Sequence, residues 1–401
     1  MMDYIPAIMD KNTLDFIKEH RNDNVQALAL QAARYPSIDM RIAVTQIEGW
    51  QHACSKLPEW AAVEGIVYPP RISMEQCSSS ATALYKASLV SGNTFADLTG
   101  GFGIDCSYVS RNFTKAYYIE RNAELCAIAG HNFALLGLDN IKILNGNSES
   151  LLQELPHCDW IFLDPARRDG IGRKVVALSD CEPDVSALHP VLLEKADRVM
   201  VKCSPMLDIT AACRQLGCVS SIHIVAVNNE CKELLLVLSK EPSSAPLFHC
   251  VNSTDKNLQF FEFRQDEEVP CRYAENIGRY LYEPNVAILK AGCPNVLTSV
   301  HGVCKLHPDS HLYTSDELVT DFPGRIFEVE GAGGFSKPEI KALLGSLKKA
   351  NITIRNFPDS VQQLRKRLKL SEGGDVYLFA TTLLDGSKTL VRCRKAQPIK
   401  L

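Results

Sequence analysis

The residues best suited to chemistry lie in a glycine-rich stretch near position 100 of the 401-residue chain. An apolar run ends at Asp97, and a turn with Gly101 and Gly103 precedes a segment, through Asp105, that can start a helix. Glycine lets the backbone turn tightly and approach a ligand, because a Cβ atom would clash there. Unpaired N–H groups at a helix start suit a polar cofactor. The stretch predicts a cofactor-binding turn, although glycine turns also connect strands to helices without binding anything.

Three further polar residues follow strand candidates downstream. Glu120 ends one apolar run, Asn147 follows the next, and Asp164 begins an Asp-Pro-Ala-Arg-Arg stretch after a third. The carboxyl ends of parallel strands share one edge of a sheet, and ligands bind at that edge in open α/β sheets. A carboxylate at the end of the second strand, here Glu120, can accept hydrogen bonds from both hydroxyls of a ribose. The sequence therefore predicts a nucleotide-like ligand at this edge.

The order and chemistry of these strand ends resemble the class I S-adenosylmethionine-dependent methyltransferases. The segment from Asp97 to Gly103 matches their first motif, with Thr99 where glycine is commoner. The resemblance implies that S-adenosylmethionine is the cofactor, that Glu120 binds its ribose, and that Asn147 meets its adenine amine. A dehydrogenase is disfavoured, because position 106, where its third glycine is expected, is a cysteine.

A serine-rich segment before the first strand candidate adds candidates for the cofactor site. Ser78 to Ser80 can cap a helix that carries Thr82 and Lys86. The resemblance implies that this segment closes over the methionine end of the cofactor, although a capped surface helix is an equal alternative. The predicted cofactor-binding residues are Asp97, Thr99, Gly101, Gly103, Asp105, Glu120, Asn147, Ser78, Thr82 and Lys86.

The fourth strand candidate ends in a stretch that bears on the reaction. The Asp-Pro-Ala-Arg stretch from Asp164 resembles a variant of the Asp/Asn-Pro-Pro-aromatic motif of methyltransferases that act on amino groups of nucleobases. The resemblance implies that Asp164 and the Pro165 carbonyl accept hydrogen bonds from a target amino group, so that its lone pair faces the methyl group. Such a transfer depends on positioning and needs no metal. Arg167 and Lys202 are further catalytic candidates, and Arg168 a candidate for RNA contact, unless the arginines only pair with nearby acids.

Cys203, on the fifth strand candidate, supports an alternative reaction. In RNA uracil-C5 methyltransferases a cysteine on this strand attacks the pyrimidine ring, and Glu233 lies roughly where their proton-abstracting glutamate lies. Covalent attack is needed because C5 of uracil is not nucleophilic until C6 is attacked. Because the chain has 15 cysteines, a chance cysteine at this position is the competing interpretation. A protein that binds cofactor and RNA without methyl transfer also stays open, because arginine replaces the aromatic residue that clamps the base.

Charge is unevenly distributed along a chain whose net charge is −4. Residues 331–401 hold 14 Lys and Arg against 5 Asp and Glu, whereas the other 330 residues hold 29 against 42. A basic terminal segment on an acidic body predicts a polyanionic partner, although a solvated basic surface is the alternative. A small-molecule or protein substrate is disfavoured, because the basic segment would then have no evident use. The candidates for RNA contact in this segment are Arg365, Lys366, Arg367 and Lys369.

Composition limits the class of protein. Hydrophobic residues make up 46% of the chain, which allows a proper core, and no long apolar run predicts a membrane span. The first twenty residues lack the apolar region of a secretory signal. The cysteines form no Cys-x-x-Cys pair, and the spacing of His301, Cys304, His307 and His311 fits no standard zinc pattern, so we predict no metal. Reduced thiols and a cytoplasmic location are expected, and no pattern predicts the oligomeric state.

Alternating apolar and helical stretches predict an α/β fold with a Rossmann-like, seven-stranded class I methyltransferase core whose last strand is antiparallel. The Asp-Pro-Ala-Arg-Arg stretch, the segment Tyr280 to Pro284 and the basic α/β tail make the chain similar to bacterial methyltransferases with a C-terminal THUMP-like domain. That resemblance implies a tRNA or rRNA partner. The predicted domains are helical at 1–73, methyltransferase at 74–268, ferredoxin-like α+β at 269–330 and THUMP-like α/β at 331–401.

Overall fold

A computed structural model describes residues 5, 8, 10–167, 177–241, 245–254, 257–264, 269–293 and 295–396. The chain divides into two compact units. Unit 1 comprises residues 1–222 with 233–244, and unit 2 comprises residues 223–232 with 245–401. The boundaries of the four domains expected from the sequence stay a prediction.

The helices and strands are numbered in chain order. The α-helices are α1 Lys11–His20, α2 Val25–Ala29, α3 Met40–Lys56, α4 Pro58–Ala61, α5 Arg71–Gln76, α6 Ser80–Ser88, α7 Ile104–Val109, α8 Ala123–Leu135, α9 Ser148–Leu152, α10 Val185–Lys195, α11 Ile209–Leu216, α12 Val286–Ala291, α13 Val296–Val300, α14 Lys337–Leu344 and α15 Val361–Leu368. The strands are β1 Gly92–Asp97, β2 Phe113–Glu120, β3 Ile141–Asn145, β4 Cys158–Leu163, β5 Ala166–Arg167, β6 Cys181–Glu182, β7 Ala196–Cys203, β8 Val219–Val227, β9 Glu230–Ser239, β10 Leu247–Ser253, β11 Leu258–Arg264, β12 Tyr280–Pro284, β13 Cys304–Lys305, β14 Tyr313–Ser315, β15 Gly324–Gly333, β16 Asn351–Arg355, β17 Val376–Thr382 and β18 Lys388–Lys395.

The N-terminal segment is helical, as the sequence predicts, and its first helices begin at side-chain caps. Asp10, Asn24 and Asp39 accept backbone N–H groups at the starts of α1, α2 and α3. These bonds satisfy donors that have no partner inside the helix. Farther along, the buried Trp60 lies with its ring 5.1 Å from the ring of Phe102, in the glycine-rich turn. The N-terminal helices therefore support that turn.

The centre of unit 1 is a sheet whose middle strands are parallel. The strand β1 pairs with β2 and β4, β2 pairs with β3, and β4 pairs with β7, all in parallel. On the other side of β7 lies β9, which is antiparallel, and seven consecutive strands of this sheet run in the order β8-β9-β7-β4-β1-β2-β3. The predicted seven-stranded core with an antiparallel last strand is confirmed. Its parallel strands end at one edge, which brings the candidate residues together.

Unit 2 contains a largely antiparallel sheet. Its described strands run β13-β14-β12-β15-β18-β17-β16, with β16 parallel to β17. The strands β10 and β11 form an antiparallel pair. Ser336 and Ser360 cap α14 and α15, and the side chains of Glu339 and Gln363 bond back to the cap N–H groups. These reciprocal caps fix where each helix begins in the basic part of the chain.

The described residues contain no candidate for a membrane span or for a metal site. None of the helices there combines the length and the apolar character that crossing a membrane requires. Within the same described ranges, no group of three or more His, Cys, Asp or Glu side chains is arranged so that it could hold a metal ion.

Candidate active site

Two glycines with left-handed backbone shape the turn between β1 and α7. Gly101 has φ +55° and Gly103 has φ +89°, a region that residues with a Cβ rarely adopt. A Cβ at Gly103 would lie 2.8 Å from Cζ of Phe133, whereas a Cβ at Gly101 would approach only the Thr99 carbonyl oxygen, at 3.8 Å. Gly103 therefore allows the turn to pack on α8, and Gly101 leaves open space beside the turn for a ligand.

The end of β2 is fastened to the same turn. The Gly101 N–H donates to Oε2 of Glu120 at 2.9 Å, and the Asn122 N–H donates to Oε1 at 2.8 Å. The hydroxyl of Tyr118 donates to the Gly101 carbonyl at 2.5 Å. Two backbone donors thus fix the orientation of the Glu120 carboxylate. Each of its oxygens keeps a lone pair that can accept a ribose hydroxyl.

Thr99 joins the ends of β1 and β4. Its N–H donates to Oδ1 of Asp97 at 3.0 Å, and its Oγ accepts the Asp164 N–H at 2.6 Å. The Thr99 hydroxyl is therefore engaged by the backbone of the Asp-Pro stretch, a role that the predicted contact with cofactor did not include. This bond gives a structural reason for threonine where glycine is commoner, because it holds Asp164 beside the turn.

Five charged side chains from separate segments of unit 1 form what we term the charge cluster: Lys86, Asp105, Asp164, Lys202 and Glu233. Nζ of Lys86 lies 2.5 Å from Oε1 of Glu233 and 3.2 Å from Oδ1 of Asp105. Nζ of Lys202 lies 2.5 Å from Oδ2 of Asp164 and 3.8 Å from Oδ2 of Asp105. Asp105 thus contacts both lysines. The cluster ties α6, the glycine-rich turn and the ends of β4 and β7 to the strand β9.

Burial and neighbouring charges shift the pKa values of the cluster. Burial favours a higher pKa for Asp105, but Lys86 and Lys202 outweigh it and lower the pKa of that carboxyl. Burial works to lower the pKa of Lys202, but the carboxylates of Asp164 and Asp105 outweigh it and raise that pKa. Burial raises the pKa of Glu233, and Lys86 offsets only part of the effect. Asp105 and Lys202 are therefore held ionised, and Glu233 is the least compensated carboxyl.

Three predicted cofactor residues make contacts that sequence reasoning did not anticipate. Ser78 Oγ donates to Oδ2 of Asp105 at 2.8 Å, which attaches it to the charge cluster. Thr82 Oγ donates to the Ser79 carbonyl at 3.2 Å, within its own helix start. Oδ1 of Asn147 caps α9. That cap leaves the Asn147 amide N–H groups, which are donors, to meet an adenine ring, whereas an adenine amine requires an acceptor.

The Asp-Pro-Ala-Arg-Arg stretch is described only in its first part. Pro165 is half-buried next to Asp164. The main chain of Arg167 belongs to β5, which pairs antiparallel with β6. Arg168 lies outside the described residues. The proposed contacts of the two arginine side chains therefore stay predictions.

The surroundings of Cys203 and Glu233 each disfavour uracil-C5 chemistry. Burial and the charge of Asp164 raise the pKa of the Cys203 thiol, which disfavours the thiolate needed for attack. The carboxylate of Glu233 is engaged by Lys86, with Nζ to Oε1 at 2.5 Å. Neither group is set up as a free nucleophile or base.

Two of the four residues predicted to contact RNA on and just after α15 are paired inside the unit. Arg365 lies 2.8 Å from a carboxylate oxygen of Glu372. Arg367 lies 3.5 Å from a carboxylate oxygen of Asp359, and its guanidinium carbon is 5.0 Å from the ring centre of Phe335. These arginines are partly committed to holding α15 in place.

The other two predicted residues, Lys366 and Lys369, are exposed. Among the described residues, no acidic side chain lies within ion-pairing distance of either. Elsewhere in unit 2, Arg392 and Arg394 share Glu330 at 2.7 and 2.5 Å. The surplus positive charge of the tail is therefore carried at the surface by lysines more than by arginines.

The sequence analysis did not include Tyr118 in the site, and it included Glu233 only in the alternative uracil-C5 reaction. Tyr118 stands two residues before Glu120, and this spacing puts both side chains on one face of β2. Glu233 begins an otherwise apolar run in β9, and an acid inside such a run needs a buried partner. Both signals are readable in the sequence, but neither identifies the partner.

These residues fit S-adenosylmethionine in shape and charge. The space beside Gly101 can admit the ligand, and Glu120 presents acceptors of the kind a ribose needs. Carboxylates of Asp97, Asp105 and Asp164 lie at or next to the turn, where positive charge on a ligand is favourable. The strand order and this site together define the class I methyltransferase fold.

Comparison with known proteins identifies the family. The chain is 36% identical to a Porphyromonas gingivalis W83 protein provisionally assigned as a methyltransferase, whose crystal structure it matches with a TM-score of 0.87 over 97% of this chain and 99% of that one. An uncharacterized S-adenosylmethionine-dependent methyltransferase of Mycobacterium tuberculosis H37Rv is 24% identical over 329 residues, which are 81% of this chain and 87% of the relative. Family models described as a ferredoxin-like domain and as THUMP domain-like match residues 280–323 and 324–395. The chain belongs to the S-adenosylmethionine-dependent methyltransferases that carry these two C-terminal domains.

Proposed function

We propose that this methyltransferase transfers the methyl group of S-adenosylmethionine to an amino group of a nucleobase in structured RNA, either tRNA or rRNA. The observation that carries the proposal is the hydrogen bond from the Asp164 N–H to Thr99 Oγ at 2.6 Å. This bond holds the acceptor expected for a target amine next to the glycine-rich turn. The Asp164 side chain is 39% exposed, so an incoming base can reach it.

The chemistry follows from the position of Asp164. When bound, S-adenosylmethionine supplies an electrophilic methyl group. The Asp164 carboxylate accepts a hydrogen bond from the target N–H, which directs the nitrogen lone pair toward the methyl carbon, and it can take the proton that the nitrogen loses after transfer. Lys202 holds Oδ2 of Asp164, so its role is to position the carboxylate, and Oδ1 is the oxygen that meets the target. Glu120, Asp97 and the turn glycines would hold the cofactor.

Amino-group methylation is favoured over uracil-C5 methylation by the state of two groups. The raised pKa of Cys203 opposes thiolate formation, and Glu233 is engaged by Lys86. Transfer to an amine requires neither group. It needs an acceptor beside the cofactor, which is the function that the position of Asp164 supports.

RNA as the partner is supported by the THUMP domain-like match and by exposed lysines in the same unit. Lys366 and Lys369 can contact phosphate without first breaking an internal pair. We propose that the domain at 1–73 supports the fold and that the domain at 74–268 catalyses the reaction. We further propose that the domain at 269–330 acts as a spacer and that the domain at 331–401 binds RNA. None of the fifteen cysteines forms a disulfide bond in the described structure, and we propose a cytoplasmic, thiol-reducing location on that ground.

The test is transfer of labelled methyl from S-adenosylmethionine into total RNA of cells that lack the protein, followed by nucleoside analysis. We expect label in one N-methylated nucleoside. Asp164→Ala removes the acceptor, and loss of a hydrogen-bonded positioning group of this kind lowers the rate by about 100-fold or more. Asp164→Asn keeps one acceptor oxygen and should retain more activity than Asp164→Ala.

The matched control is Asp139→Ala, which removes an exposed aspartate of unit 1 and should leave the rate unchanged. Label in 5-methyluridine that is lost in Cys203→Ala would replace the proposal with the uracil-C5 reaction. Calorimetric binding of the cofactor without any label in RNA would instead point to a binding role or to a substrate other than RNA.

A further inference from the structure

The ring of Tyr118 lies directly against the glycine-rich turn. Tyr118 is fully buried in β2, and a Cβ added at Gly100 would lie only 2.2 Å from its Cε2 atom. On another side, the ring centre of Phe133 lies 5.5 Å from that of Tyr118, in an edge-to-face arrangement. Gly100 is therefore glycine because the tyrosine ring occupies the space that a side chain would need.

Tyr118 and Glu120 hold the two peptide groups on either side of Gly101. The Tyr118 hydroxyl donates to the Gly101 carbonyl oxygen at 2.5 Å, and the Gly101 N–H donates to Oε2 of Glu120 at 2.9 Å. The two side chains stand two positions apart, on one face of β2. One strand therefore fixes the backbone of the turn on both sides of a single residue.

Gly101 depends on such bonds for its conformation. Its φ is +55°, and glycine has more backbone freedom to lose than any other residue. If the carbonyl were released, the peptide groups beside Gly101 could rotate, and Oε2 of Glu120 would lose the donor that orients it. Burial raises the pKa of Tyr118 well above its ordinary value, so the hydroxyl keeps its proton and stays a donor at neutral pH.

A ribose is sensitive to that orientation. Its two hydroxyls are donors at a fixed separation, and a carboxylate accepts both only when its two oxygens face them. The adenine and methionine parts of the cofactor do not require this alignment. A change in the orientation of Glu120 should therefore weaken the contacts with the ribose hydroxyls selectively.

We propose that Tyr118 is a positioning residue for the cofactor, which holds the Gly101 carbonyl and thereby keeps Glu120 oriented toward the ribose hydroxyls. The proposal rests on the contact between Glu120 and ribose that belongs to the proposed function. The ring and the hydroxyl of Tyr118 then have separate roles. The ring packs against the turn, as a phenylalanine would, whereas the hydroxyl acts on the cofactor through Gly101 and Glu120.

The test is isothermal titration of the full-length protein with S-adenosylhomocysteine and with its analogue that lacks both ribose hydroxyls. The readout is the Kd of the analogue divided by the Kd of S-adenosylhomocysteine, which we term the ribose ratio. For the unmodified protein the ribose ratio should be about ten or more, because the hydroxyls bond to a charged group. Tyr118→Phe should lower it by about threefold or more, through weaker binding of S-adenosylhomocysteine alone.

Two further variants make the test specific. Tyr117→Phe removes a hydroxyl from the neighbouring residue on the opposite face of β2, and its ribose ratio should equal that of the unmodified protein. Glu120→Gln removes the charge of the proposed ribose acceptor and should lower the ribose ratio at least as much as Tyr118→Phe. Tyr118→Phe should fold, because the ring remains and water can reach the half-buried Gly101.

A lower ribose ratio in Tyr118→Phe and Glu120→Gln, with no change in Tyr117→Phe, supports the proposal. An unchanged ratio in Tyr118→Phe beside a lowered one in Glu120→Gln overturns it and leaves the proposed function intact. Equal reductions in Tyr118→Phe and Tyr117→Phe also overturn it. A ribose ratio near one in the unmodified protein overturns both this proposal and the cofactor contact on which it rests. Failure to methylate RNA does not change the ratio, so the two proposals fail separately.

Discussion

Two groups of lysines in this protein show opposite uses of the same side chain. Lys86 and Lys202 lie inside unit 1, within ion-pairing distance of two carboxylates each. Lys366 and Lys369 lie exposed in unit 2, with no acidic partner among the described residues. The buried lysines hold a fixed arrangement of acids around the glycine-rich turn. The exposed ones are free to meet a polyanion.

The comparison shows how burial determines what a charged side chain can do. A buried pair keeps its geometry, but removing one partner leaves a charge that water cannot reach. An exposed lysine costs little to remove, and salt screens its interactions. Unit 1 therefore has the kind of charge that positions reacting groups. Unit 2 has the kind that suits a large polyanionic ligand.

The strongest test of this contrast replaces a buried lysine. Lys86→Met keeps the length of the side chain but leaves Glu233 and Asp105 short of a cation, and breaking such a pair costs about 3–5 kcal/mol. Urea unfolding of the full-length protein should show this loss, whereas Lys366→Met should stay within about 0.5 kcal/mol. The double variant Lys86→Met with Glu233→Gln should recover part of the stability. Equal effects in Lys86→Met and Lys366→Met would remove the contrast.

A smaller effect is expected from the neutral hydrogen bond in the same site. Thr99→Val keeps the shape but leaves the Asp164 N–H without its acceptor, a loss of about 1–3 kcal/mol. We expect kcat to fall by about tenfold with little change in KM for RNA, because the acceptor moves while the RNA surface does not. Thr99→Ser, which retains the hydroxyl, should restore the rate. A rate for Thr99→Val equal to that of the unmodified protein would separate the bond from catalysis.

The smallest change in stability is expected at the exposed lysines, where the effect is on binding. Replacing Lys366 and Lys369 with alanine should weaken RNA binding by about tenfold at low salt and reduce the slope of log K against log salt by about 1.4 to 2. Filter binding at several salt concentrations measures both. Lys142→Ala, at an exposed lysine of unit 1, is the matched control. The prediction fails if the slope stays the same in the double variant.

Most of the fold could be predicted because its signals are local. The apolar runs that become β1, β2, β3, β4 and β7 end in polar residues, and the parallel core with an antiparallel last strand follows the expected order. The glycine-rich turn was also recognisable, since the φ values of Gly101 and Gly103 are ones that glycine adopts easily. These features depend on neighbours in sequence.

The partners of the charged residues could not be predicted, because they depend on contacts distant in sequence. Lys86 and Glu233 are 147 positions apart, and only the folded sheet brings them together. The net charge of residues 331–401 also does not distinguish basic residues that are paired from those that are not. Arg365, for example, is hydrogen-bonded to Glu372, seven positions away, and the net charge of the segment does not show this pairing. The sequence therefore predicted which charged side chains could contact a ligand, and the structure shows which of them are already paired within the protein.

The bond between Thr99 and Asp164 has a consequence for how relatives of this protein diverge. A lineage that exchanges Thr99 for glycine loses the acceptor of the Asp164 N–H, and a partly buried donor without a partner is selected against. Such a lineage must change the loop after β4 at the same time. Positions 99 and 164–165 should therefore covary, and the residue at 99 should mark branches whose fourth-strand motifs differ.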